Sequence, residues 1–65
     1  MSEELQNIVR DIVKDYLITI IEEMQKDLKK DYEQKLRSND IVGALADKIL
    51  EHFLENLKDR IKIQR

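Results

Sequence analysis

Few side chains in this sequence are able to do chemistry. Aliphatic hydroxyl groups occur at Ser2, Thr19 and Ser38, one imidazole occurs at His52, and cysteine is absent. A nucleophilic triad would have to be assembled around His52. Ser2 and Ser38 stand where helix caps are expected, and His52 lies beside Phe53 at the edge of an apolar stripe, which is typical of a partly packed boundary histidine. The sequence therefore predicts a protein that is not an enzyme.

Metal and phosphate sites have equally little support. Carboxylate-bridged metal bundles use a Glu-x-x-His motif, and the residue three positions before His52 is Ile49. His52 and Glu55 are three residues apart and would supply half a site, but no second histidine or cysteine completes it. A phosphate loop needs several glycines, and Gly43 stands alone. We expect no metal and no cofactor.

Basic residues make nucleic acid the main alternative partner. A C-terminal tract and a second cluster would each appear twice in a dimer and could contact phosphates. The acidic pI of about 5.3 opposes this interpretation, and bases at a helix C-terminus also interact favourably with the helix dipole. The tract consists of Lys58, Arg60, Lys62 and Arg65, and the second cluster of Lys26, Lys29 and Lys30.

Two helices must position all of these groups. Ser2 is a suitable N-cap for a first helix, and residues 38–40, Ser-Asn-Asp, interrupt it and offer the N-cap of a second. We predict an all-α chain with helix 1 at about 3–37 and helix 2 at about 41–62. The two form an antiparallel hairpin, and residues 1–65 form a single helical-hairpin domain.

Apolar residues recur in both helices at the i, i+3, i+4 spacing that indicates one buried stripe per helix. Spacings of four dominate, and they carry each stripe around its helix in the sense opposite to a heptad seam. This pattern favours a short bundle over a long left-handed two-stranded coiled coil. The spacing of four is clearest in residues 16, 20, 24, 28, 32 and 36, and in residues 45, 49, 53, 57 and 61.

Charge blocks support the hairpin. Residues 2–25 carry six acids and two bases, residues 26–37 carry three acids and five bases, and residues 38–57 carry four acids and one base. A turn at 38–40 places the basic block 26–37 near acids of the second helix and the C-terminal bases near the acidic first half. Such pairing favours an antiparallel arrangement.

The unequal length of the helices predicts self-association. Counting out from the turn, Lys62 reaches back only to about Tyr16, which leaves an apolar overhang that monomers rarely tolerate. Ordering the chain costs roughly 100 kcal/mol, which one two-helix seam does not offset. We therefore predict a homodimer that forms a four-helix bundle, with 16–21 at its centre. The predicted interface residues are Leu5, Ile8, Val9, Ile12, Val13, Tyr16, Leu17, Ile18, Ile20 and Ile21.

Composition narrows the class of protein. The chain has 65 residues, of which 42% are hydrophobic and 40% charged, with a net charge of −2. No stretch approaches the ~20 apolar residues that span a bilayer, and no signal peptide precedes Glu3, so we expect a cytoplasmic protein without membrane contact. We predict a small protein-interaction module: an adaptor, a regulatory subunit or an inhibitor of a larger protein. The alternative is a small dimeric nucleic-acid-binding regulator.

Overall fold

The computed structural model describes residues 2–64, and they form two α-helices joined by a short turn. Helix α1 spans Glu3–Arg37 and helix α2 spans Ile41–Ile63. The two helices run antiparallel, since Lys35 contacts Asp47 near the turn and Gln25 contacts Glu55 further from it. The all-helical hairpin is confirmed, with α2 one residue longer than predicted.

Local signals explain where each helix begins and ends. Ser2 caps α1, because its side chain accepts a hydrogen bond from the Leu5 backbone N–H at 3.2 Å. Asp40 caps α2 in the same way, and its Oδ1 accepts from the Gly43 N–H at 2.9 Å. Each cap satisfies a backbone donor that would otherwise have no partner in the first turn.

The turn depends on Asn39, which has a positive φ of 60°. Asparagine adopts this left-handed conformation more readily than most residues that carry a Cβ. It allows the Asp40 N–H to donate to the Lys35 carbonyl at 2.8 Å, so α1 ends and the chain reverses within residues 38–40.

The seam, the surface where α1 and α2 face each other, is lined by residues at alternating spacings of three and four. It holds both apolar and charged side chains, and among residues 2–64 the buried apolar residues are Ile21, Ala44 and Leu54. The seam consists of Lys14, Ile18, Ile21, Gln25, Leu28, Tyr32 and Lys35 on α1 and of Ala44, Asp47, Glu51, Leu54, Lys58 and Ile61 on α2, all of them buried or half-buried.

This seam differs from the predicted one. The apolar stripes were expected to be the buried surface of each helix, but within one chain most of their side chains are exposed, including Tyr16, Ile49 and Phe53. The seam instead follows the heptad-like spacing, which keeps contacting residues on facing sides over several turns. Several of its positions carry charge, so a search for apolar residues alone does not find it.

The hairpin is long and thin. Its dimensions are 55 × 15 × 12 Å, and its radius of gyration is 16.0 Å, whereas a compact chain of this length has a value of about 11 Å. Within residues 2–64, neither helix has a stretch long and apolar enough to cross a membrane. The shape leaves little interior, so most apolar side chains must find cover elsewhere or stay in water.

Candidate interaction surface

The two sides of the hairpin are chemically different. On one side the groove between α1 and α2 is apolar, with a volume of about 570 Å³. Its apolar lining consists of Met24, Leu28, Leu50, Phe53 and Leu54, and Asp27 and Asp31 stand at its edge. On the opposite side the groove is lined by Glu22, Gln25, Lys26, Lys29, Glu51 and Glu55. One side of the molecule therefore resembles a protein interior and the other an ordinary surface.

The first residues of α1 extend past the end of α2. Lys62, near the end of α2, borders a shallow depression with Asp11, Lys14 and Ile18. These residues lie within about one helical turn of Tyr16, the position predicted to lie opposite Lys62. The overhang, residues 3–13, extends past the described end of α2, and only Asp11 near its base borders Lys62. Its five large aliphatic side chains are 47–63% exposed: Leu5, Ile8, Val9, Ile12 and Val13.

Exposed apolar side chains lead from the overhang to the apolar groove and along α2, and we call this set the apolar band. Leu45, at one end of the set, borders a separate depression with Tyr32 and Leu36. A spacing of four residues advances 40° around a helix at 100° per residue. The stripe of α1 therefore turns from the overhang to Met24 at the groove, and the stripe of α2 turns from exposed Leu45 to Ile61 in the seam. The band consists of Leu5, Val9, Ile12, Val13, Tyr16, Leu17, Ile20 and Met24 on α1 and of Leu45, Ile49, Leu50, Phe53 and Leu57 on α2.

The predicted interface residues thus fall into two groups. Those from Leu5 to Leu17 are exposed, as a surface that awaits a partner requires. Ile18 and Ile20 are half-buried and Ile21 is buried in the seam, so the central segment 16–21 is shared between the two helices and the outside. The α2 members of the band, such as Leu50 and Phe53, were missing from the predicted interface, although their spacing of three and four residues marks them in the sequence.

A cluster of charged groups lies at the turn end of the seam. Lys35 Nζ lies 2.6 Å from Asp31 Oδ2 and 3.3 Å from Asp47 Oδ1. Asp47 is only 5% exposed, and its Oδ2 is buried without a hydrogen-bond partner. An ionised carboxylate left in this position is costly unless its oxygens are paired.

The two carboxyl groups of this cluster have opposite pKa shifts. A hydrogen bond with Asp31, followed by burial, raises the pKa of Asp47 above its ordinary value. The same hydrogen bond, together with Lys35, lowers the pKa of Asp31. The hydrogen bond between the Lys35 ammonium group and Asp31 raises the pKa of Lys35. The cluster joins the two helices through the Lys35–Asp47 ion pair.

A second polar cluster links the middle of the helices. Lys58 Nζ lies 3.2 Å from Glu55 Oε2 and 3.8 Å from Glu22 Oε2, and it donates to Gln25 Oε1 at 3.2 Å. Gln25 Nε2 donates to Glu55 Oε2 at 2.8 Å. These contacts, that of Gln25 first, lower the pKa of Glu55. Lys58 is therefore paired with acids inside the hairpin.

The other bases proposed to contact nucleic acid are dispersed. Lys62 lies beside Asp11 and Asp15, and Lys26 and Lys29 share the charged groove with acids. Arg60 is exposed at the edge of α2, and Arg65 lies outside the described residues. Basic and acidic groups alternate, so the described part of the tract offers phosphates no uniformly positive surface.

The hydroxyl groups are engaged locally. Thr19 Oγ1 donates to the Asp15 carbonyl at 2.9 Å, and Ser38 Oγ donates to the Gln34 carbonyl at 2.8 Å. Ser2 serves as the cap described above, and His52 is exposed on α2. In residues 2–64 no three His, Cys, Asp or Glu side chains are grouped so that they could hold a metal ion. The surface best suited to a function is the apolar band.

Comparison with known proteins adds no relative. The chain matches no protein-family model, no curated protein and no solved structure. The case for a function therefore rests on the geometry of the band.

Proposed function

We propose that this protein is a small interaction module that works as a homodimer, two hairpins joined into a four-helix bundle. In this role it is an adaptor, a regulatory subunit or an inhibitor of a larger protein, without catalytic activity or cofactor. The observation that carries the proposal is the apolar band, which a single hairpin leaves in water. A cysteine-free chain needs no oxidising compartment, and we propose that the protein works in the cytoplasm.

One chain exposes more surface than a compact monomer of the same mass. One chain exposes 5532 Å², whereas a compact monomer of 7.8 kDa exposes about 4,400 Å². The excess, on the order of 1,100 Å², is close to the ~800 Å² that each partner contributes to a standard stable interface. Covering the band with a second protein surface would remove this excess.

A second copy of the chain is the simplest partner that would bury the apolar band. Each chain buries only Ile21, Ala44 and Leu54 as apolar side chains among residues 2–64, which is a very small core for a protein of this size. Two identical bands brought together by a two-fold axis form the continuous core that a four-helix bundle requires. Dimerisation thus supplies the interior that the hairpin lacks.

The nucleic-acid alternative has less support. Phosphate binding needs free cationic groups, and Lys58 is half-buried among Glu22, Gln25 and Glu55. The band, in contrast, has no role in that alternative beyond dimerisation. We therefore propose protein as the partner class.

The experiment is the solution mass of the purified chain, measured by light scattering over a concentration series at two salt concentrations. We expect a stable mass near twice 7.8 kDa, almost unchanged by salt because apolar burial dominates the interface. A folded monomer at all concentrations would contradict the proposal. Binding of a DNA or RNA oligonucleotide that weakens steeply with salt would favour the alternative.

A further inference from the structure

We infer that the two copies dock antiparallel, so that the overhang of each chain lies on the first half of the partner's α2. The inference rests on the proposed function and adds to it the arrangement of the two subunits. It follows from two observations: the relative position of α1 and α2, and the positions of the band residues along the hairpin.

Contacts across the seam provide a common scale for the two helices. The Tyr32 ring lies 5.1 Å from Lys48 Nζ, and Gln25 bonds to Glu55. Residues that lie side by side in α1 and α2 therefore have numbers that add up to about 80. Phe53 follows this rule, because it lines the apolar groove together with Asp27. On the same scale Leu45 lies beside position 35 of α1, and Ile49 beside position 31.

Full overlap of two hairpins fixes the position of the two-fold axis. The midpoint of Glu3–Arg37 is Ile20, a half-buried residue of the band. An axis perpendicular to the helices at Ile20 pairs position 5 with position 35, position 9 with 31 and position 13 with 27. Leu5, Val9 and Val13 then face the partner's Leu45, the partner's Ile49 and the partner's Phe53.

The pairing matches in spacing as well as in position. Leu5, Val9 and Val13 are four residues apart, and so are Leu45, Ile49 and Phe53. Two stripes with a spacing of four residues pack at a crossing angle of about −50°, so the contact is limited to the few turns that hold these three pairs. A parallel arrangement would place the overhangs against each other and leave Leu45 and Ile49 uncovered.

Disulfide cross-linking tests the arrangement, because the natural chain has no cysteine. Val9→Cys and Ile49→Cys chains are prepared separately, mixed under reducing conditions and then oxidised. We expect a disulfide between the two different chains and no self-linked Val9→Cys dimer. In the antiparallel arrangement two copies of position 9 lie about 33 Å apart at 1.5 Å per residue, far beyond the reach of a disulfide.

Controls separate the outcomes. Leu5→Cys with Leu45→Cys is a second pair with the same expectation, and Asn7→Cys, exposed beside the band, is the matched variant that should cross-link with neither partner chain. A self-linked Val9→Cys dimer would overturn antiparallel docking. If the reduced variants had a dimeric mass in that case, the proposed function would stand. A monomeric mass of the natural chain would overturn both proposals.

Discussion

The seam and the apolar band are two surfaces of one hairpin that differ in how far they are covered and in how many charged groups they hold. The seam is covered but holds Lys35, Asp47 and Lys58, whereas the band is exposed but holds large aliphatic and aromatic side chains such as Ile12 and Phe53. In the seam, ion pairs and hydrogen bonds set the register of the two helices. In the band, apolar area supplies the driving force for association. The difference teaches that register and stability come from different contacts in this molecule.

The largest effect should follow from a charge placed in the band. We expect Ile12→Asp to abolish the dimer and unfold the chain, because the dimer core would then hold an unpaired carboxylate. Circular dichroism and light scattering of the same sample measure helix content and mass. Asn7→Asp adds the same charge to the overhang beside the band and should leave both unchanged. An Ile12→Asp protein that stayed folded at the natural mass would place the interface elsewhere.

The next effect concerns the buried part of the seam. Ile21→Ala should lower the free energy of unfolding by about 2–4 kcal/mol, the usual range for removing a buried aliphatic side chain. Ile21 is 6% exposed, whereas Val42 is 82% exposed and lies outside the band, so Val42→Ala is a control with little expected effect. Urea denaturation at fixed protein concentration gives both values. Equal losses for the two variants would show that the seam is not where the hairpin is held.

A smaller effect is expected at the cap of α2. Asp40→Ala removes the hydrogen bond to the Gly43 N–H and should lower the free energy of unfolding by about 1 kcal/mol. The mass should remain dimeric, because Asp40 is outside the band. Thermal denaturation and light scattering together test this separation of stability from assembly, and a monomeric Asp40→Ala protein would contradict it.

Gly43 permits a related test of the same cap. A Cβ at this position would lie 2.8 Å from Asp40 Cγ and 2.9 Å from Lys35 Cδ, so these side chains must move. Replacing glycine by alanine within a helix usually raises the free energy of unfolding by ~1 kcal/mol. Because of these close contacts, Gly43→Ala should not produce that increase. In the Asp40→Ala background the obstructing carboxylate is gone, and the gain should return. Additive effects of the two substitutions in thermal denaturation would argue against this close contact.

The smallest effect is a pH dependence in the seam. The pKa of Asp47 is raised, first by the hydrogen bond with Asp31, so its contribution to stability is complete below the ordinary value of 3.8 and is lost as pH rises through the higher folded value. Asp47→Asn imitates the protonated form at every pH. We expect this variant to be more stable than the natural chain at pH 7 and nearly equal at pH 4, as measured by urea denaturation.

Other groups in the hairpin titrate in the opposite sense and serve as a reference. The pKa values of Asp31 and Glu55 are lowered, so their contributions are present above the ordinary carboxyl values and are lost as the pH falls through the folded ones. Both carboxyl groups titrate in the natural chain and in Asp47→Asn. The difference in free energy of unfolding between the two proteins therefore reports on Asp47 and its hydrogen bond to Asp31. A difference that did not change with pH would mean that Asp47 is ionised throughout.

The helix boundaries could be predicted because their causes are local. Ser2 and Asp40 are good N-caps whose hydrogen bonds reach only three residues along the chain, and the run Ser38, Asn39 and Asp40 ends α1 whatever the rest of the molecule does. The antiparallel arrangement follows from the short turn and the charge blocks. These features need no knowledge of tertiary contacts.

The seam and the apolar groove could not be predicted in the same way. Apolar spacing shows which side chains should be covered, but it does not show whether the cover comes from the same chain. Lys35 and Asp47 occupy covered positions because their charges are paired across the hairpin, and such pairing depends on the relative position of the two helices. The sequence interpretation therefore assigned Phe53 to a buried stripe, whereas in the structure it lines an open groove.

The short turn also sets the order in which the hairpin can close. Contacts across it span 12 residues at Lys35 and Asp47, 30 at Gln25 and Glu55 and 33 at Gln25 and Lys58. Closing the longest of these loops from an open chain costs about 1 kcal/mol more entropy than closing the shortest, but each inner contact shortens the loop that the next one must close. We expect folding to proceed from residues 38–40 outward, like a zipper, so that the chain ends become ordered last.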